Sequence, residues 1–246
     1  MCGRYTLTLD QEALQVALGI ERLLPHRPRY NISPSQEVLV LAGGDSGPRP
    51  VLVRWGMQAP RSGPRSSSQL IINARSETVH RKPTFREAFR EGRCLVPADG
   101  FYEWKASGIG KVPSWIHRRG GEPFTFGAIV RPPTSSAPTS TGDADNAPPP
   151  GDSALGDMAI LTAPASDLLR PIHDRMPVVI PSSGRALWLD PEACQEDLEV
   201  LMVAEYPEDF TIREVSTRVN SPAHDDPACI EAGDSPLQDL PLFGED

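Results

Sequence analysis

Short stretches of apolar or alternating side chains recur from one end of this 246-residue chain to the other, and most are too short for a helix. A strand needs about 4–8 such residues, a helix ten or more. Residues 5–9, 38–41, 51–55, 70–74, 94–97, 101–104, 114–117, 124–130, 158–162, 177–180 and 210–215 each read as a strand. Turn residues separate them. Gly43-Gly44-Asp45-Ser46-Gly47 predicts a hairpin of 38–41 with 51–55, and Gly120-Gly121 a hairpin of 114–117 with 124–130. Ala98-Asp99-Gly100 marks a turn between 94–97 and 101–104, while 29–34 and 63–69 read as loops.

Three short helices are expected. Asp10 caps the first, with Leu14, Ala17 and Leu18 on one face and Gly19 at its end. Thr84 and Glu87 have capping-box spacing for a helix over 85–91 closed by Gly92. Asp190-Pro191 opens the third, whose Leu198, Leu201 and Met202 face a core. The pattern predicts an α+β fold: one domain with a β-rich, barrel-like core of mostly antiparallel strands and a few short helices.

Residues 131–157 interrupt that pattern with Pro132, Pro133, Pro138 and Pro148-Pro149-Pro150 among Ser, Thr, Gly and Asp. Such a segment cannot bury enough apolar surface to offset its ordering entropy, so it is expected to be a disordered insertion. Strand character resumes at Met158, which makes it a loop inside a single domain of residues 2–231. Residues 232–246 form an acidic tail.

No apolar run approaches the ~20 residues of a membrane span, and the start lacks a signal-peptide pattern. Cys2, Cys94, Cys194 and Cys229 are far apart and form no CxxC pair. Neither zinc nor a disulfide framework is expected, and no cofactor, so a reducing intracellular compartment follows. The net charge of −9 is unevenly spread: residues 1–94 carry 14 basic and 8 acidic side chains, residues 205–246 carry 2 and 11. A basic N-terminal portion permits an anionic ligand without requiring one.

Chemistry points to the first residues, Met1-Cys2-Gly3-Arg4. A small second residue invites removal of the initiator methionine, which leaves an α-amine and a thiol on adjacent carbons. They titrate near ~8 and ~8.5, so both nucleophiles are reachable at neutral pH. The pair can act as a hydrolase nucleophile with its own base. It can also condense with an aldehyde, the amine forming an imine and the sulfur closing a thiazolidine ring. The bland alternative is a cysteine that starts a strand.

Other polar residues interrupt apolar patterns. Asn73 follows Leu70-Ile71-Ile72 and precedes Arg75, Glu103 stands between Tyr102 and Trp104, and His173-Asp174-Arg175 precede the strand at 177. A carboxylate among aromatics is desolvated, which raises its pKa toward proton-transfer use. Histidine can serve as acid or base near neutrality. Each also has a structural reading: a buried amide bonding backbone, a glutamate on a strand's polar face, a His–Asp pair. Together with Cys2 they supply a nucleophile, proton carriers, an orienting amide and cations.

Met1-Cys2-Gly3-Arg4-Tyr5, Arg29-Tyr30-Asn31-Ile32-Ser33-Pro34, Trp55-Gly56, Asn73-Ala74-Arg75-Ser76-Glu77-Thr78, Ala98-Asp99-Gly100-Phe101-Tyr102-Glu103-Trp104, His173-Asp174-Arg175-Met176-Pro177 and Val215-Ser216-Thr217-Arg218-Val219-Asn220 occur in that order. In these blocks the chain resembles the SOS response-associated peptidase (SRAP) family. The resemblance implies a β-rich domain that binds single-stranded DNA and crosslinks abasic sites through Cys2 as a thiazolidine, after autoproteolytic removal of Met1. It implies Glu103 and His173 as proton carriers, Asn73 as the orienting residue, and Arg4, Arg75 and Arg175 on phosphates, which position DNA without reading bases. The family's loop tryptophan after Trp55-Gly56 is missing, because residues 57–62 hold no aromatic. Such a wedge contributes ~1–3 kcal/mol per stacked base, so here either DNA affinity is lower or Arg61 and Arg65 supply more of it electrostatically. The expected partner is abasic single-stranded DNA, with no membrane or metal, and the protein is expected to be a monomer. The expected place is a bacterial cytoplasm, at the nucleoid, or a eukaryotic nucleus. The rival function is a cysteine peptidase acting on protein substrates through Cys2, and a third is a non-catalytic single-strand binder.

Overall fold

Side chains along β12 (Asp157–Pro164) alternate between two interiors: Met158 and Ile160 enter one apolar cluster, Ala159, Leu161 and Ala163 the other. A strand covered on both faces needs no polar face, which explains its continuous apolar run. The structure, a computed structural model, describes residues 2–44, 47–59, 70–108, 110–131, 156–203 and 209–233. The predicted insertion between Arg131 and Gly156, the acidic tail from 234, and Arg61 and Arg65 lie outside them.

β12 lies at the junction of a closed ring. It pairs antiparallel with β11 (Phe124–Arg131) and parallel with β4 (Arg49–Trp55). β4 forms a hairpin with β3 (Glu37–Ala42), β3 pairs with β8 (Arg93–Ala98), and β8 returns to β11. β3, β8 and β11 share β12's two-sided logic: Val40, Val96 and Ala128 join one cluster, Leu41, Leu95 and Ile129 the other, whereas β4 buries only Val51, Val53 and Trp55 on one face. The second cluster is covered by α2 (Arg86–Glu91), α3 (Arg185–Leu189) and α4 (Gln195–Leu201) through Phe89, Trp188 and Leu198. Each such buried side chain contributes ~1.5–3 kcal/mol relative to exposure.

The first cluster is shared with a second sheet, ordered β15 (Phe210–Glu214), β10 (Gly110–Arg118), β9 (Gly100–Ser107), β1 (Tyr5–Leu7) and β2 (Arg29–Ile32), antiparallel throughout. Tyr5, Leu7, Phe101, Ile116 and Phe210 face the ring, while Tyr102 and Trp115 pack under Val215, Val219 and Cys229. The chain crosses between sheets at Asp99, whose carboxylate accepts from Thr6 Oγ1 (2.5 Å), Thr8 Oγ1 (2.7 Å) and the Thr8 N–H. Gly100 follows because the Trp115 indole lies over it: a Cβ there would sit 2.1 Å from Nε1. Short strands complete the set. β5 (Met57–Gln58) pairs with β6 (Leu70–Ile71), β7 (Asn73–Arg75) runs parallel to β12, and β13 (Arg175–Pro177) and β14 (Val179–Ile180) border β12 and β11.

Several local expectations need correction. α1 (Gln11–Leu18) has its predicted cap, the Asp10 carboxylate accepting from Ala13 N–H (2.9 Å), and Gly19 closes it at φ 67°. Its buried face is narrower than predicted: Leu14 is buried, Ala17 exposed. β10 and β11 form no hairpin, because the chain changes sheets between them. Residues 29–32 are a strand, recruited by β1. Residues 70–74 break at Ile72, and 177–180 at Val178, where the backbone changes partners. The capping box before α2 does not form, since Phe85 occupies the cap position. α4 starts at Gln195 rather than Pro191, and α3 was not foreseen. Near the end of the described chain, Cys229 joins a third apolar cluster with Tyr102, Trp115, Val215 and Val219.

Candidate active site

β1 and β9 pair Tyr5 with Phe101 and Thr6 with Gly100, and Tyr102 N–H donates to Arg4 O (3.0 Å). That antiparallel register lays residues 2–4 beside 102–104, which carries Cys2 to Glu103. Cys2 is fully buried, its Sγ 3.8 Å from Arg4 O. Burial pushes the thiol far above its ordinary value, and the nearby Glu103 carboxylate pushes it further. The sulfur is therefore a thiol, not a thiolate, at neutral pH.

Asn73 reaches the same point from the ring. Trp55 Nε1 donates to Ile72 O (3.0 Å) and fixes the bend just before β7. Asn73 Nδ2 then donates to Cys2 O (3.0 Å), and its Oδ1 is buried with no hydrogen bond among the described residues. Glu103 is only 4% exposed. Burial raises its carboxyl, with the neighbouring His173 among the groups pulling the other way. His173 follows a turn in which its N–H donates to Leu169 O (3.0 Å). Two groups compete for its Nδ1, the Arg175 N–H at 3.0 Å and Asp174 Oδ1 at 2.9 Å. The amide can only donate, whereas the Asp174 side chain is 86% exposed and free to turn to water. Nδ1 thus accepts from Arg175, and the neutral ring carries its proton on Nε2.

The strands therefore bring all four predicted residues, Cys2, Asn73, Glu103 and His173, to one place. The sequence model described as SOS response associated peptidase (SRAP) matches residues 1–222. The chain belongs to this family. Relatives include the abasic site processing protein YoqW of Bacillus subtilis, 32% identical over 237 residues that cover 94% of this chain and all of the relative. The Escherichia coli abasic site processing protein YedK is 33% identical over 198 residues, covering 78% of this chain and 81% of its own. A solved phage-related protein from Bordetella bronchiseptica superposes with a TM-score of 0.65 at 29% identity, over 88% of this chain and 95% of that one.

The three arginines predicted for this SRAP chain differ from one another. Arg75 is exposed on β7. Arg4 is half-buried and donates from Nη1 to Asn31 Oδ1 and Val219 O, both at 2.8 Å. The Arg175 side chain, 12% exposed, is held by the Glu77 carboxylate at 2.5 and 2.8 Å and by Thr162 O. That grip pulls Glu77 down to about 2. Sequence reasoning missed three residues that build the site's surroundings. Asn31 is fully buried and donates from Nδ2 to Val219, Ser221 and His224 carbonyls. Asp225 pairs with Arg29 and accepts from the Tyr30 (2.6 Å) and Asn31 (2.9 Å) amides. Asp99 pins β1 to the start of β9. The motif blocks at 29–34 and 215–220 are thus two halves of one clamp, a signal that lay in their polar residues. Among the described residues, no group of His, Cys, Asp or Glu could hold a metal ion. No helix among them is long and apolar enough to cross a membrane.

Proposed function

We propose that this protein processes abasic sites in single-stranded DNA by forming a covalent adduct through Cys2 once Met1 has been removed. The observation that carries the reading is the Asn73 Nδ2 bond to the Cys2 carbonyl, which orients the residue beside Glu103 and His173. The names of the relatives, abasic site processing proteins, point to the same substrate.

The ring-opened sugar presents an aldehyde. The α-amine of Cys2 adds to it, a carbinolamine forms, and loss of water gives an imine. The Cys2 S–H then adds across the C=N bond: a C–S bond forms, the thiol proton is transferred to nitrogen, and a thiazolidine results. A buried thiol fits this order, because the amine acts first and the sulfur follows intramolecularly. Glu103, raised by burial, can hand a proton to the departing hydroxyl and accept one from sulfur. His173 presents Nε2–H as a second donor. Arg75 meets a phosphate directly, while Arg4 and Arg175 add positive charge from positions where their hydrogen bonds hold the site together.

A cysteine peptidase acting on protein substrates is less well supported, since its nucleophile is a thiolate and burial disfavours that form here. The test is incubation of the purified protein with single-stranded DNA bearing one abasic site. A covalent band that survives heating is expected with wild type and absent with Cys2→Ala. No band with wild type would reject the reading.

A further inference from the structure

Glu77 is an exposed carboxylate that touches none of the reacting groups, yet it spans the site's two supports. It lies in the turn Ser76–Thr78 directly after β7, which carries Asn73. Its partner Arg175 opens β13, two residues after His173. Thr162 of β12 pairs with Arg75 of β7 and with Pro177 of β13 at once, so those strands flank opposite edges of β12. The Arg175 guanidinium crosses that strand, donating to Thr162 O and lying 3.4 Å from Thr162 Oγ1, to reach Glu77 with both terminal nitrogens. The ion pair ties the Asn73 segment to the His173 segment.

β13 has only three residues, so its backbone pairing alone is a short anchor. Its first amide sets the His173 ring, because Arg175 N–H donates to Nδ1. Asp174 Oδ1 waits 2.9 Å from the same nitrogen and would accept a proton from it if the amide moved off. The ring thus has two available states. In one, Nδ1 accepts from Arg175 and Nε2 bears the proton; in the other, Nδ1–H donates to Asp174. We propose that Glu77 is a positioning residue that, through Arg175, holds His173 in the Nε2–H state. The kinetic consequence rests on the abasic-site reading given above; the ring state does not.

Nitrogen-15 NMR of the His173 ring reads the tautomer directly, in protein without DNA, above the pH at which the ring titrates, with the signal assigned by its loss in His173→Ala. Wild type should give the pattern of a single Nε2–H tautomer. Glu77→Ala should give a substantial Nδ1–H population, and Arg175→Lys, which keeps the charge but loses the two-point grip, should do the same. In parallel, crosslinking to abasic single-stranded DNA at saturating concentration should be slowed about tenfold in Glu77→Ala, since small misplacements of catalytic groups cost up to ~10²-fold. Its melting temperature should stay within ~3 °C of wild type, because Glu77 lies on the rim, where an ion pair contributes little, and Arg175 keeps its bond to Thr162 O. An unchanged ring spectrum in Glu77→Ala overturns the proposal whatever happens to the rate. Tighter DNA binding with faster crosslinking also overturns it, since Glu77 would then compete with phosphate for Arg175. If wild type forms no adduct, the abasic-site reading fails, and the ring spectrum alone decides the role of Glu77.

Discussion

Glu103 and Glu77 stand on different sides of the same site and titrate in opposite directions. Glu103 is buried on β9, and loss of hydration raises its carboxyl. Glu77 sits on the rim, where hydrogen bonds from Arg175 bring it down to about 2 against a smaller burial effect. The difference separates two jobs. A carboxyl that burial raises holds its proton more readily and can exchange it with a substrate, whereas one that stays ionised under all ordinary conditions can only hold a shape. The interior of the site carries chemistry and its rim carries geometry.

Among variants that keep Cys2, the largest effect should come from Glu103→Gln, which keeps the shape and removes the exchangeable proton. Crosslinking at saturating DNA should be slowed by ~10²-fold or more, with DNA affinity nearly unchanged. Asn73→Ala should cost less, about tenfold, because it frees the Cys2 carbonyl without touching a proton carrier. Either variant crosslinking at the wild-type rate would return that residue to an ordinary place in a β core.

Stability against pH sharpens the contrast. Glu103 has a folded value above its ordinary 4.5, so its favourable contribution is present below 4.5 and is lost as pH rises through the folded value. Glu103→Gln should therefore melt higher than wild type at neutral pH, with the gap closing toward pH 4.5. Glu77 has the opposite sign. Its contribution is present above 4.5 and lost as pH falls from 4.5 to about 2, and it is small, ~0–1 kcal/mol, because the pair is on the rim. Thermal melts of both variants across pH 3–8 check the two signs together. The smallest effect belongs to Arg75→Ala, which should make the log–log salt dependence of single-strand binding shallower by ~0.7, one phosphate contact. An unchanged slope would remove Arg75 from the DNA-contacting surface.

The residues that were legible in the sequence are those whose pattern is local. Short apolar runs marked β3, β8, β11 and β12, alternation marked β4, and the Asp10 cap and Gly19 stop framed α1. Glu103 stood out because a carboxylate in an aromatic strand must be either exposed or functional. What failed depended on partners far along the chain. The strand at 29–32 exists because β1 recruits it, and the supposed hairpin at 120–121 fails because each strand finds its partners in a different sheet. Arg4 and Arg175 read from the sequence only as free cations, and their bonds to Asn31, Val219 and Glu77 were hidden there. Those partners lie 27, 215 and 98 residues away, beyond any periodicity.

The central claim is that the amine and thiol of Cys2 both bond to the abasic sugar, and intact mass measures it most directly. Wild-type protein incubated with an abasic single-stranded oligonucleotide should give one adduct: the chain without Met1, plus the oligonucleotide, minus one water. The adduct should persist on heating without added reductant, and Cys2→Ala should give none under the same conditions. An adduct that retains Met1, or one formed equally well by Cys2→Ala, would contradict the account.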